Sequence, residues 1–210
     1  MKKLGTRFFL ISCLLMLLVS CSYSTSRGFI EQPQTKDVVV NSYFSDLEKD
    51  YVYKAILHIY KHRLSGIFIV KKINTNHHRI VFTTEFGKKI FDFELVENDF
   101  KINYINDQIN KKKLIRTLSD DFQLLINQNN AVMNEFYSPT ESIYRSKVRD
   151  KYYYHFYNKN NDQLEKIVMT SRNKEMLTIV FQDLKNNLAQ SIVMTHDNLK
   201  ISIELKYINN

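Results

Sequence analysis

The sequence predicts an α+β fold that is mainly antiparallel β, a curled incomplete β-barrel of about ten strands with amphipathic helices plugging the concave face. Three observations lead there. Apolar residues alternate with a period of two over most of the chain after Leu64. Two stretches revert to helical spacing instead. Asn- and Asp-rich turn signals separate the alternating runs. Ten or so antiparallel strands in one sheet must curl, split or close. A curled sheet with one apolar face needs something to fill it, and two amphipathic helices supply that.

The chain starts with Lys2, Lys3 and Arg7, then an apolar stretch from Phe8 to Val19, then Leu18-Val19-Ser20-Cys21. The order of charge, apolar run and small residues reads as an export signal. The run is too short to span a bilayer, which takes about 20 residues. Leu18 to Cys21 resembles a lipobox, which implies cleavage before Cys21 and diacylglycerol on its thiol. Residues 1–20 are then a signal peptide, 21–42 a lipidated N-terminus and flexible tether, and 43–210 the folded domain. The tether is expected from Ser22, Ser24, Thr25, Ser26, Gly28, Pro33 and Gln34, with little periodic apolar content. In enteric bacteria a residue other than aspartate after the lipidated cysteine directs export to the outer membrane, and here that residue is Ser22.

Composition narrows the function classes. The formal charge is +8, and without Lys2, Lys3 and Arg7 it is +5. Such a surface suits anionic lipid headgroups or an acidic protein partner. A periplasm-facing lipoprotein does not meet nucleic acid. Cys13 leaves with the signal and Cys21 is consumed by lipid, so disulfide, zinc-thiolate and cysteine-nucleophile chemistry fall away. A chain that is 44% hydrophobic can hold itself together by burial.

The elements follow in order. Ser45-Asp46-Leu47-Glu48 is a capping box. It starts an expected helix over about 46–62, with Leu47, Tyr51, Val52, Ala55, Ile56 and Ile59 on its stripe. Strands are expected at 66–73, 79–85, 89–96 and 100–106, with Asn98-Asp99 as the turn before the last. In 89–96, Phe91, Phe93 and Leu95 point one way, and Ile90, Asp92 and Glu94 the other. Lys111 to Ile126 is helical, with Leu114, Ile115, Leu118, Phe122, Leu125 and Ile126 on one face. A second short helix is expected up to Phe136, ending before Pro139. Strands then occupy about 142–148, 151–158, 163–171, 175–182, 189–196 and 199–208. In the last, Leu199, Ile201, Ile203, Leu205 and Tyr207 face the core.

Known catalytic signatures are missing. There is no G-x-S-x-G elbow, Walker loop, Rossmann fingerprint or H-E-x-x-H. His58 and His62 are four apart, but Ile59 stands where a metalloprotease has glutamate. Asp120-Asp121 reads as a solvated helix face, and Tyr152 to Tyr157 as a strand with one face in the core.

The order of elements behind a lipobox resembles the LolA/LolB group of lipoprotein carriers and receptors, LolB most. Arg63-Leu64-Ser65-Gly66-Ile67-Phe68 looks like the opening of its first strand. Arg79 to Gly87 is similar to its strand ending in a Pro-Leu-Gly loop, and Lys200 to Asn210 looks like its closing strand. The resemblance covers about 43–208, in pattern more than identity. It implies a half-barrel that binds acyl chains or other hydrophobic cargo. It also implies a protruding apolar residue, here Phe86 beside Gly87, that helps place cargo in the membrane. Glu85 departs from the family's proline.

The resulting expectation is a monomeric, non-enzymatic protein without cofactor or metal. It sits on the periplasmic face of the outer membrane and localises lipoproteins there, receiving lipid acyl chains or lipoproteins from a soluble LolA-like carrier. The expected cargo lining is Ile67, Ile69, Phe91, Phe93, Phe100, Ile102, Leu118, Phe122, Ile179, Ile201 and Ile203. The alternative is a structural or assembly lipoprotein whose sheet is packed solid. An open, greasy cavity separates the first from the second.

Overall fold

The computed structural model describes residues 25–97, 99–172 and 174–208. One helix, α1 (Lys112–Ile126), lies among them. The first strands are β1 (Ile30–Gln32), β2 (Val38–Val40), β3 (Asp50–Ile59), β4 (His62–Asn74), β5 (His77–Thr83), β6 (Lys89–Val96) and β7 (Asp99–Ile105). After α1 come β8 (Asn129–Ala131), β9 (Asn134–Tyr137), β10 (Glu141–Val148), β11 (Lys151–Asn158), β12 (Gln163–Ser171), β13 (Lys174–Lys185), β14 (Leu188–His196) and β15 (Ile201–Tyr207). A 13-stranded sheet runs β1-β9-β10-β11-β12-β13-β14-β15-β3-β4-β5-β6-β7, and β2 pairs with β8 separately. Every pairing is antiparallel. Among the described residues the edge strands β1 and β7 do not pair, so the barrel is open. Among the described residues the sheet has thirteen strands where about ten were expected, and one helix where two amphipathic helices and a further short one were expected.

The expected helix over 46–62 is instead β3 and the start of β4. Tyr51, Tyr53, Ala55, Leu57 and Ile59 are buried, a period of two, while Val52 and Ile56 cover the other face. Apolar residues on both faces satisfy a helical stripe and an alternation together, and aromatic and β-branched side chains decide for the strand. Ser45 caps nothing helical: its Oγ donates to the Ser42 carbonyl at 2.7 Å. The expected helix before Phe136 is β8 and β9. The turn between β6 and β7 falls one residue earlier than expected, since Val96 pairs with Asp99 and Glu97 takes φ 55°.

Within the segment read as a tether, β1 pairs with β9 and β2 with β8. The β-branched run Val38-Val39-Val40 explains the second pairing, with Val39 buried. The strands from β10 to β15 lie where the alternation and turn signals place them, to within three residues at each end. Asn186 and Asn187 both take positive φ in the β13–β14 turn, a backbone that Asn tolerates well.

Gly66 has a steric reason. A Cβ there would stand 1.8 Å from the Thr83 carbonyl oxygen, so only glycine lets β4 approach β5 at this point. The concave face of the sheet and α1 share one continuous core that runs from Val39 to Leu205. A smaller cluster (Phe136, Ile143, Tyr154, Phe156 and Val168) lies on the convex face. Phe29 covers it, edge-on to Phe156 at 6.2 Å. The tract 152–157 thus buries side chains on both faces: Tyr153 and Tyr157 inside, Tyr154 and Phe156 outside.

Candidate functional site

The concave face is the surface on which the sequence places a cargo, and α1 occupies it. Leu114, Leu118, Phe122 and Leu125 are spaced at three and four residues, so they form one stripe pressed on the sheet. Phe122 lies 5.5 Å from Phe68, 5.7 Å from Phe91 and 6.3 Å from Phe93, ring centre to ring centre. Phe91 and Phe93 stack at 4.6 Å and 3°. Each such side chain contributes roughly 2 kcal/mol by leaving water.

Of the expected cargo-lining residues, Phe91, Phe93, Leu118, Phe122, Ile179, Ile201 and Ile203 meet in this core, none more than 3% exposed. Phe100 packs at its margin, 4.7 Å from Phe93. Ile67 and Ile69 stand on the opposite face of β4 from buried Phe68 and Val70, because side chains alternate along a strand. Ile102 is on the edge strand β7 and exposed. Among the described residues the interior is filled rather than open.

The end of α1 leaves a cleft of about 270 Å³, lined among others by Thr75, His78, Glu97, Asp120, Asn127 and Tyr153. That is below the roughly 300–1,000 Å³ usual for small-molecule sites, and its walls are mixed.

The polar fastenings of α1 are few. Asp121 Oδ2 lies 2.8 Å from His196 Nε2, with both side chains buried. Lys151 Nζ donates to Asp120 Oδ2 at 2.7 Å. Asn41 Nδ2 donates to the Leu125 carbonyl at 3.0 Å. The N-terminal end is poorly capped: Lys111 makes no side-chain cap and the first turn has no acid. Lys111, Lys112 and Lys113 face the positive end of the helix dipole, at a cost of roughly 0.3–1 kcal/mol each. The helix is therefore held by its apolar stripe.

Asp121 corrects the expectation of a solvated carboxylate pair. Burial raises its pKa, and the bond to His196 only partly offsets that. Its Oδ1 has no partner among the described residues; neither do Ser146 Oγ and His155 Nε2, two groups on the same concave face. The spacing signalled this, since Asp121 falls on the stripe of 114, 118, 122 and 125. Nothing local marked His196 as its partner, 75 residues away.

A second plug comes from residues 41–46. Tyr43 stacks on Phe181 at 4.5 Å and its hydroxyl donates to the Leu164 carbonyl at 2.7 Å. Phe44 packs edge-on against Tyr51 at 5.1 Å.

The β5–β6 loop behaves differently from the core. Phe86 is 99% exposed at its tip, and Gly87 beside it takes φ 79°. Gly87 N donates to the Thr84 carbonyl at 2.9 Å and Lys88 N to Thr84 Oγ1 at 3.1 Å, so the tip is a closed turn with its aromatic ring held out. Cys21 lies outside the described residues.

No family model and no curated protein matches the sequence. Solved structures do match. A LolA superfamily protein from Nitrosomonas europaea is similar over 80% of this chain and 88% of its own, with a TM-score of 0.51 and 9% identity. A domain described as an outer membrane lipoprotein-sorting protein, from Vibrio parahaemolyticus, is similar over 76% of this chain and 83% of its own, with a TM-score of 0.42 and 8% identity. At such identity the likeness is one of fold, and the fold of this chain is similar to that of the LolA superfamily protein.

Proposed function

We propose that the chain is a non-enzymatic, lipid-anchored protein on the periplasmic face of the outer membrane that binds acyl chains or lipoproteins and helps place them in that membrane. The observation that carries the reading is the amphipathic helix α1 lying in an aromatic trough. A surface that holds Phe122 and three leucines by burial alone can hold an acyl chain by the same force. Displacing α1 opens the trough, and the weak capping of the helix lowers what that displacement costs. Cys21 is the anchor, Phe86 the residue that enters the bilayer, and a soluble LolA-like carrier the donor. The fold shared with a LolA superfamily protein supports the cargo class.

The filled core favours a second reading, a scaffold lipoprotein with no small ligand. One experiment separates them: native mass spectrometry of residues 22–210 with palmitate and with an acylated peptide, paired with amide exchange over α1. A bound mass together with faster exchange at 112–126 is the carrier result. A clean apo mass with unchanged exchange is the scaffold result.

A further inference from the structure

The two rims of the sheet differ in charge. The β3–β4 and β14–β15 turns, the β5–β6 loop and the β7–α1 loop share one rim. Tyr60 N donates to the Lys200 carbonyl at 2.7 Å, which joins the first two. Asn106 N donates to the Ile90 carbonyl at 2.8 Å, which sets the last against the β5–β6 loop. Lys111 and Gln108 face Tyr60 and Lys61 across a shallow cleft. This rim carries exposed Lys61, Lys88, Lys111, Lys112, Lys113 and Lys200. None of the six is in an ion pair among the described residues. Three exposed acids, Glu85, Asp107 and Asp197, share these loops. Phe86, fully exposed, and Tyr60, 44% exposed, project from the same rim. The opposite rim is not lysine-rich: Thr75-Asn76 and Asn186-Asn187 are neutral, Glu97 is acidic, and Lys159 and Asp162 offset each other.

Unpaired lysines around a protruding aromatic ring are the composition of a surface that meets anionic lipid headgroups: the ring enters the acyl boundary and the ammonium groups stay at the phosphates. The chain itself points the same way. Thr25 Oγ1 donates to Glu175 Oε1 at 3.0 Å, and Met176 next to it accepts from Asp197 N at 3.2 Å. The described chain therefore begins on this rim, beside the β14–β15 turn. Cys21 precedes Thr25 by four positions, a reach of at most about 14 Å.

We infer that this lysine-rich rim is a docking surface for a bilayer bearing anionic phospholipid, and that it orients the anchored protein with Phe86 toward the membrane. The inference rests on the anchoring at Cys21 and the bilayer entry of Phe86 proposed above, and adds the headgroup chemistry.

The chain has no tryptophan, so Phe86→Trp gives a single indole reporter. The full lipidated chain is reconstituted in vesicles of phosphatidylcholine alone and of phosphatidylcholine with phosphatidylglycerol. The expected result is blue-shifted, quencher-protected emission only with phosphatidylglycerol. The shift reverts near 1 M salt, where the Debye length is about 3 Å. Changing Lys61, Lys88 and Lys111 to Gln in the same chain lowers the inserted fraction by about 5-fold per lysine. These side chains are exposed, and circular dichroism checks the fold of each variant. Equal insertion in both vesicle types, or in the triple variant, overturns the electrostatic inference and leaves bilayer entry by Phe86 standing. Solvent-like emission in every vesicle overturns both. A lysine dependence seen only when an acidic protein is added, and not with lipid, also overturns the inference and assigns the rim to that partner. Acyl binding is read separately and does not move with any of these.

Discussion

The two halves of the concave face are built from different chemistry. Over β3–β6 it is aromatic and dry: Tyr53, Phe68, Phe82, Phe91 and Phe93 are no more than 1% exposed. The polar groups on that half are partnered. His78 Nε2 donates to the Phe44 carbonyl at 3.1 Å, and Lys72 Nζ to Gln128 Oε1 at 2.8 Å. Over β9–β14 the face carries Glu135, Ser146, His155 and His196, all buried. Glu135 is fully served. Burial works against its ionisation, but donors from Tyr137, Lys36 and Thr35 outweigh it and hold the carboxyl below its usual range. Ser146 and His155 are not, and Asp121 of α1 faces this half with one oxygen unpartnered. An unpartnered buried polar group costs about 1–3 kcal/mol. The lesson is that α1 is bound tightly on one side and at a penalty on the other, so release should begin over β9–β14.

The largest expected effect tests the tight side. Phe91 touches Phe68, Phe82, Phe93 and Phe122 at centroid distances of 4.6–6.3 Å. Phe91→Ala should lower unfolding stability by about 3–5 kcal/mol in urea titrations. A loss under about 1 kcal/mol would mean that the aromatic half is not the firm one.

The same two halves differ in how much the sequence disclosed. From Lys174 to Tyr207 the register is legible because polar turns bracket strands with one wetter face, as in Ile201, Ile203 and Leu205 against Ser202 and Glu204. In β3 and β4 both faces carry apolar residues, so periodicity lost its meaning: β3 read as a helix, and Ile67 and Ile69 were assigned to the wrong face. The exposure of Phe86 was implied by the resemblance of the loop ending at Gly87, not by periodicity. The Asp121–His196 contact had no such signal, since it joins a helix to a strand far along the chain.

An intermediate effect tests the polar half through pH. Burial pushes the His155 imidazole down to about 4, with the bond to the Tyr144 carbonyl working weakly against it. The group is therefore neutral in the fold, against an ordinary value of about 6.5. Its contribution is present above pH 6.5 and is lost as pH falls toward 4. Integrated, the shift amounts to about 3 kcal/mol. Stability should drop over that window, and His155→Leu should flatten the slope. An unchanged slope in the variant would place the acid sensitivity elsewhere.

Asp121 should act with the opposite sign, and with the smallest effect. Its folded pKa is raised by burial, so its contribution to stability is greatest where the carboxyl is protonated, and fades as pH climbs through the raised value. Once ionised, the group is a liability that α1 carries into the core. Asp121→Asn keeps an oxygen for His196 and removes the charge. It should therefore stabilise the protein by about 1 kcal/mol at pH 7, and slow amide exchange in α1 while leaving β3–β6 unchanged. Exchange that slows equally in both regions would show that α1 does not open separately from the sheet. If α1 gates the trough, the same substitution should also weaken acyl uptake, because a helix relieved of its buried charge is harder to displace.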